Sequence, residues 1–412
     1  MKNIISTVVC VMCGICLAAT PQVKNVKAFQ QYPWGKVYIT YEVVGDVAAA
    51  AEGGATPILI VTAKDKTTGR IYDEAFSMYL SGDTSDTAGL HKIIWDISAQ
   101  GVPISSNNVA IDVAYHDADE LYIVVDLSSG PDSISYPISR LYAAPSGGWT
   151  DEYKTTKLVL RRIMPGSFKM GGRYNVTLSI PFYIGVFEVT QKQYELVMGS
   201  NPSFCYSKDK RPVDSVSYAL IRGSSAGTGW PGSSAVDSDS FLGKIRARTG
   251  LNFDLPTEAQ WEYACRAKTT TDYNTGEGID EVGRYKLNGG CVHVFSENSG
   301  KWSYKLPTKS ESISYGTAIV GSYKPNAWGL YDMHGNVAEL CLDRFGDLSD
   351  AVTDPVGASS GVRVERGGGF AHEAKYCTSS FRGKENGYYE HGESYSHIDA
   401  SSGFRLARTL SD

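Results

Sequence analysis

The sequence predicts two successive domains, an N-terminal β-sandwich followed by a larger, loop-rich α+β domain. Three observations carry this. The chain has 412 residues, more than one ordinary domain at roughly 100–200 residues each. Residues 22–127 read as short apolar or alternating runs split by Gly, Asp and Ser turns, the pattern of antiparallel strands. From residue 157 that pattern gives way to two helix-forming stretches set among turns. Composition agrees: 43 glycines and 26 tyrosines against 7 methionines suit strands and turns better than long helices. Apolar residues make up 42% and charged residues 20%, which is globular and excludes wholesale disorder. Lys and Arg number 39 against 45 Asp and Glu, a net charge of −6, so no basic excess marks a nucleic-acid partner.

Taken in order, Met1-Lys2 precedes an apolar run from Ile4 to Ala19. The run falls short of the roughly 20 residues that span a bilayer, and small residues close it. It reads as a signal peptide over 1–19, cut after Ala18 or Ala19, and implies a secreted or cell-envelope protein. No later run is long and apolar enough for a transmembrane span. Five cysteines remain, Cys205, Cys265, Cys291, Cys341 and Cys377. Export favours disulfides, and an odd count leaves at least one thiol over.

Strands are predicted at Lys36–Val44, Pro57–Thr62, His91–Ile97, Val109–Tyr115 and Leu121–Asp126, which gives a sandwich over 22–127. Residues 128–156, rich in Ser, Gly, Pro and Asp, read as a linker. The second domain, 157–409, opens with a strand at Leu158–Met164. A helix follows at Thr190–Met198, with Thr190 as N-cap, Tyr194, Val197 and Met198 on one face, and Gly199 as its end. Another begins at Pro256, suited to a first turn, and runs to Arg266. So little regular structure requires disulfides, ions or dense loop packing to hold the domain.

Six motifs occur in order: Pro165-Gly-Ser-Phe-Lys-Met-Gly171, Phe187-Glu-Val-Thr190, Leu255-Pro-Thr-Glu-Ala-Gln-Trp-Glu-Tyr-Ala264, Asn326-Ala-Trp-Gly-Leu-Tyr-Asp-Met-His-Gly-Asn-Val-Ala-Glu339, Arg366-Gly-Gly-Gly369 and Gly403-Phe-Arg-Leu-Ala407. Together they resemble the sulfatase-modifying factor, or formylglycine-generating enzyme, domain. The resemblance implies a C-type-lectin-like fold. Upstream, the stretch from Gly89 to Asp96 is similar to immunoglobulin-like modules of bacterial surface proteins.

The family's enzymes oxidise a sulfatase cysteine to formylglycine with oxygen and copper, using two cysteines five residues apart. Paired thiolates suit Cu(I) because soft sulfur binds it well. Here the second position is Cys377 and the first is His372, so half of the pair is absent. A His/Cys pair could hold copper, but without the thiol that exchanges with substrate. Packing or a disulfide is the favoured role of Cys377, and a surface position that of His372. The resemblance also implies structural calcium, held by the side chains of Asp332 and Glu339 and the backbone oxygens of Gly335 and Val337. Those are the hard oxygen donors calcium takes.

Residues 370–398 carry Tyr388, Tyr389 and Tyr395 among Ser, Gly and His. Rigid aromatics separated by small adaptable residues are the composition of binding loops. The segment is similar in position to the diversified region of the variable receptors of diversity-generating retroelements. The leading expectation is therefore a binding module for an exported protein or a glycan. The second is a formylglycine-generating oxidase acting on a sulfatase polypeptide.

Overall fold

The computed structural model describes residues 22–31, 36–44, 58–65, 80–82, 88–96, 109–116, 121–141, 144–145, 147–205, 209–274, 278–290, 292–296, 301–305, 315–385 and 401–410. The predicted signal segment 1–19 and the tyrosines Tyr388, Tyr389 and Tyr395 lie outside the described residues. Two units divide the chain, the second running from Leu121 to Asp412 apart from one short excursion.

The first unit has strands β1 (Gln22–Gln31), β2 (Lys36–Val44), β3 (Ile58–Asp65), β4 (Leu80–Gly82), β5 (Gly89–Asp96) and β6 (Val109–His116). They form a four-stranded sheet in the order β1-β2-β5-β4 and a two-stranded sheet β3-β6, antiparallel throughout. Alternation in β2 buries Ile39, Tyr41 and Val43. Opposite them on β5, Ile93 pairs with Ile39 and His91 with Tyr41, whose rings stack with centroids 5.2 Å apart. Such cross-strand pairs are what stabilise a sheet.

The second unit begins earlier than the sequence predicts. β7 (Tyr122–Asp126), the last strand predicted for the sandwich, pairs along its length with β9 (Lys157–Ile163). With β8 (Ile138–Leu141), β12 (Phe182–Gly185) and β20 (Ala407–Thr409) it forms a five-stranded sheet in the order β20-β12-β9-β7-β8. The predicted linker 128–156 is therefore part of this unit. Tyr136 within it is fully buried, and its hydroxyl lies 3.1 and 2.9 Å from Gly130 O and Leu196 O, which share its one proton. Ser, Gly and Pro mark turns, and turns occur inside domains as readily as between them.

β10 (Gly166–Met170) and β11 (Tyr174–Leu178) form a hairpin extended by β16 (Val352–Thr353), which runs parallel to β11. β13 (Val292–Ser296) and β14 (Lys301–Lys305) form another hairpin. β15 (Ala338–Arg344), β17 (Arg363–Arg366), β18 (Gly383–Lys384) and β19 (Ser402–Gly403) make a four-stranded sheet in the order β18-β17-β15-β19. Both predicted helices form. α1 (Gln191–Met198) has a capping box between Thr190 and Gln193 and ends at Gly199 with φ 84°. Two short elements follow, α2 (Tyr218–Arg222) and α3 (Phe241–Thr249). α4 (Glu258–Arg266) starts two residues after Pro256, because Thr257 is its N-cap and boxes with Gln260. Every residue of α4 is buried, so this helix is the axle of the unit. α5 (Ile279–Val282) is a single turn.

Candidate functional site

The turn from Asp332 to Glu339 lies at the centre of the second unit, with Asp332, His334, Asn336 and Glu339 all buried. Gly335 adopts φ 85°, and a Cβ there would sit 2.1 Å from Arg284 O, so only glycine closes this turn. Glu339 faces Arg405 and Trp261. Its Oε1 accepts from Arg405 Nη2 at 2.6 Å, and its Oε2 accepts from Arg405 Nε at 2.6 Å and Trp261 Nε1 at 2.8 Å. Glu188, just before α1, accepts from Asn336 Nδ2 at 2.6 Å and the Val337 amide at 3.0 Å. Asp332 Oδ2 accepts from the Gly321 amide at 2.6 Å.

These groups perturb one another. Burial pushes Glu188 well above the usual carboxylate range, and the Asp332 and Glu339 charges push it further. Burial likewise raises Asp332 to about 6, against the Gly321 amide and Arg405. Arg405 and Trp261 supply three donors to the two oxygens of Glu339, which leaves a lone pair on Oε1, while Asp332 Oδ1 is buried and has no hydrogen-bond partner among the described residues. The predicted set of Asp332, Glu339 and the backbone oxygens of Gly335 and Val337 thus keeps an orphaned, hard oxygen donor of the kind calcium takes. Among the described residues no group of three or more His, Cys, Asp and Glu side chains is placed to hold a metal.

Both positions of the predicted copper pair are buried. His372 is buried, not at the surface. Its Nδ1 accepts from the Gly369 amide at 2.7 Å, and burial lowers it to about 4. Cys377 is fully buried and free. It packs with Ile279 and Tyr285, and its Sγ donates to Glu373 O at 3.7 Å. Burial raises this thiol well above its ordinary value. The thiolate is the copper ligand and the nucleophile, and this site opposes it.

Three residues the sequence reading passed over complete the site. His334 Nε2 accepts from the Asn274 amide at 3.1 Å, which leaves Nδ1–H to donate to Cys377 O at 2.8 Å. Cys265 lies 3.7 Å from that Nε2 and 3.6 Å from Ser379 Oγ. A Cys–His dyad suggests nucleophilic chemistry, but burial raises Cys265 to about 12 and lowers His334 to about 4. The cluster is a neutral tether between α4 and the Cys377 turn. Cys205, Cys265, Cys341 and Cys377 are all free and buried, so none of these four forms the disulfides that export suggests. A thiol reagent on native protein should label these four at least a hundredfold more slowly than on unfolded protein, read by mass spectrometry of the labelled peptides. Rapid labelling of Cys377 in the native state would overturn this account.

The sulfatase-modifying factor enzyme 1-like domain matches residues 150–410. The chaperone protein LppX of Paenibacillus barcinonensis is 31% identical over 230 residues, covering 51% of this chain and 76% of that protein. The formylglycine-generating enzyme of Streptomyces coelicolor is 35% identical over 164 residues, covering 37% of this chain and 46% of the enzyme. The chain therefore spans about half the length of that enzyme. Among solved structures, Treponema denticola variable protein 1 aligns with a TM-score of 0.44 and 25% identity, covering 63% of this chain and 97% of that one. The family match spans the whole of the site, from the Glu188 carboxylate to the Arg405 guanidinium, and this chain belongs to the sulfatase-modifying factor enzyme 1-like family.

Proposed function

We propose that this protein is a non-catalytic, partner-binding member of its family, exported by its N-terminal segment. The observation that supports this is the state of the two redox positions: His372 is tied to the Gly369 amide, and Cys377 is a buried, neutral thiol. Formylglycine formation in the family uses two cysteines, and here the first of the two positions is His372, which has no thiol to exchange with a substrate. Binding is assigned to the segment 386–400 with Tyr388, Tyr389 and Tyr395. The residues flanking it are fixed on one sheet. The Glu385 amide donates to Arg363 O at 2.9 Å, and Ser402 Oγ donates to Glu365 Oε1 at 2.7 Å. A rigid frame lowers the ordering cost of a binding loop. The partner class is an exported polypeptide, a choice supported by the relative named a chaperone protein. Structural calcium at Asp332, Gly335, Val337 and Glu339 stays part of this reading, supported by the buried Asp332 Oδ1 that has no hydrogen-bond partner among the described residues.

Three measurements test it. With copper, oxygen and a sulfatase-motif peptide, the protein should form no aldehyde; turnover lost in Cys377→Ser would restore the oxidase. Tyr388→Ala, Tyr389→Ala and Tyr395→Ala should each weaken capture of a partner found by cross-linking in the native envelope, by about 1–4 kcal/mol at a true hot spot. Indifference to all three changes would move the binding face elsewhere. A chelator should lower the melting temperature of the parent but not of Asp332→Ala, and an unchanged melting curve of the parent would count against calcium at this turn.

A further inference from the structure

A cavity of about 420 Å³ lies at the N-terminal end of α4, away from the turn at 332–339 and from Cys377. Its size falls in the range of small-molecule sites, roughly 300–1,000 Å³. Met170, Val176, Leu348, Val352, Pro355 and Val356 supply apolar walls, while Glu258, Asp343 and Arg382 line the polar end.

The charges there are unevenly matched. Arg382 forks Glu258 through Nε and Nη2 at 2.6 and 2.7 Å, and its Nη1 donates to Gly346 O at 2.7 Å. Each of its three nitrogens is thus engaged, and Glu258 has its counter-charge. Asp343 has none. It is 2% exposed, and its Oδ2 accepts from the Glu258 amide at 2.7 Å. Beyond its own amide, its Oδ1 receives no donor among the described residues. A buried carboxylate without a counter-charge is a costly arrangement that a bound cation relieves. Asp347 at the rim is exposed and adds a second negative charge.

The cavity is built in advance. Its outer wall, 346–358, is fixed to the hairpin by the parallel pairing of β16 with β11. Asp350 Oδ1 accepts from the Asn175 amide at 2.6 Å and its Nδ2 at 2.9 Å, and Asp354 Oδ1 accepts from the Ser179 amide at 2.9 Å. A site that need not order itself on binding keeps more of its interaction energy.

We propose that this cavity binds an organic cation, an ammonium or guanidinium group on a short apolar stem that donates to Asp343 Oδ1 while the stem lies against Leu348, Val352 and Val356. An anion meets the carboxylates of Asp343 and Asp347 beside an Arg382 charge already offset by Glu258, and a neutral stem leaves Asp343 without a counter-charge. The same chemistry is offered by a free alkylamine and by a lysine side chain of a polypeptide. The proposal is independent of the aromatic segment and of Cys377.

Isothermal titration calorimetry on the full chain tests it with four probes: cadaverine, Nα-acetyl-lysine methylamide, 1-pentanol and valerate. The expected result is saturable binding of at least one of the two amines, with pentanol and valerate at least tenfold weaker. Preference for cadaverine assigns a free amine, and preference for the lysine derivative assigns a polypeptide side chain. Asp343→Asn should weaken the amine at least tenfold. Val356 is 40% exposed, so Val356→Trp should fill the mouth and abolish binding without changing the melting curve. That variant decides the matter if Asp343→Asn does not fold. No amine binding at millimolar concentration, equal binding of pentanol, or binding that survives Val356→Trp would overturn the proposal.

Discussion

Replacing Arg405 with methionine is expected to destabilise the second unit by about 3–5 kcal/mol, the cost of leaving a buried charge without its partner. Arg405 is fully buried, as are Glu339 and Trp261. Its guanidinium holds both oxygens of Glu339 and also donates to Gly185 O at 2.9 Å and Tyr331 O at 3.0 Å. It thereby ties β12, β15 and the 326–337 loop to one point. Removing it strands Glu339 beside Glu188 and Asp332, three carboxylates with no cation bonded to them. Domains are stable by only about 5–15 kcal/mol, so the variant should sit near the edge of folding. Urea midpoints measure this. Arg405→Lys should rescue little, because an ammonium cannot reproduce the fork. Adding Glu339→Gln to Arg405→Met should recover part of the loss, since it removes the stranded charge. A loss below about 1 kcal/mol in Arg405→Met would mean that something else neutralises Glu339. Recovery of that variant by calcium would name the ion.

Legibility in the sequence followed the range of the signals. α1 and α4 were readable because caps and one-faced apolar spacing are local, and both capping boxes form as side-chain chemistry dictates. α3 was not, because Gly243 interrupts its run. The structure gives that glycine a reason: a Cβ there would lie 2.0 Å from Asp237 O. β7 was readable as a strand but not as a member of the second sheet. Alternation says that a segment pairs, never with what. The same limit applied to the site. Asp332 and Glu339 stood out inside one motif, but the groups that decide their chemistry come from far along the chain. Glu188 meets Asn336 across 148 residues, and Arg405 meets Glu339 across 66. Both lie in motifs that marked the family, Phe187-Glu-Val-Thr190 and Gly403-Phe-Arg-Leu-Ala407. No local spacing announces that an arginine stands beside the predicted calcium donors. His372 was misplaced for a related reason. A polar residue among tyrosines and glycines reads as surface, whereas the Gly369 amide gives its ring a partner inside.

The Asp343→Asn variant should lose stability relative to the parent at acid pH and gain on it as pH rises. Burial, with Glu258 adding to it, holds Asp343 at about 7 against an ordinary value of 3.8. The folded state therefore binds a proton at this site that the unfolded chain has released between roughly pH 4 and 7. Wherever the folded state holds more protons, stability falls as pH rises. The contribution of Asp343 is complete below about pH 4 and lost as pH climbs through 7. At about 1.4 kcal/mol for each unit between the two values, the full loss is on the order of 4 kcal/mol. Other buried groups titrate in the same range. Asp214 is raised to about 6 and acts in the same direction, while His334 and His372, lowered to about 4, oppose it. The parent's own pH profile is therefore a sum of opposing slopes. The difference between parent and Asp343→Asn isolates one of them. Asparagine keeps an acceptor for the Glu258 amide and carries no titrating charge. Urea midpoints from pH 5 to pH 8 should show the gap between the two proteins moving in the variant's favour, with most of the movement between pH 5 and 7. A constant gap would show that Asp343 is ionised throughout, its charge already matched. In that case the cavity would have no call for a cation.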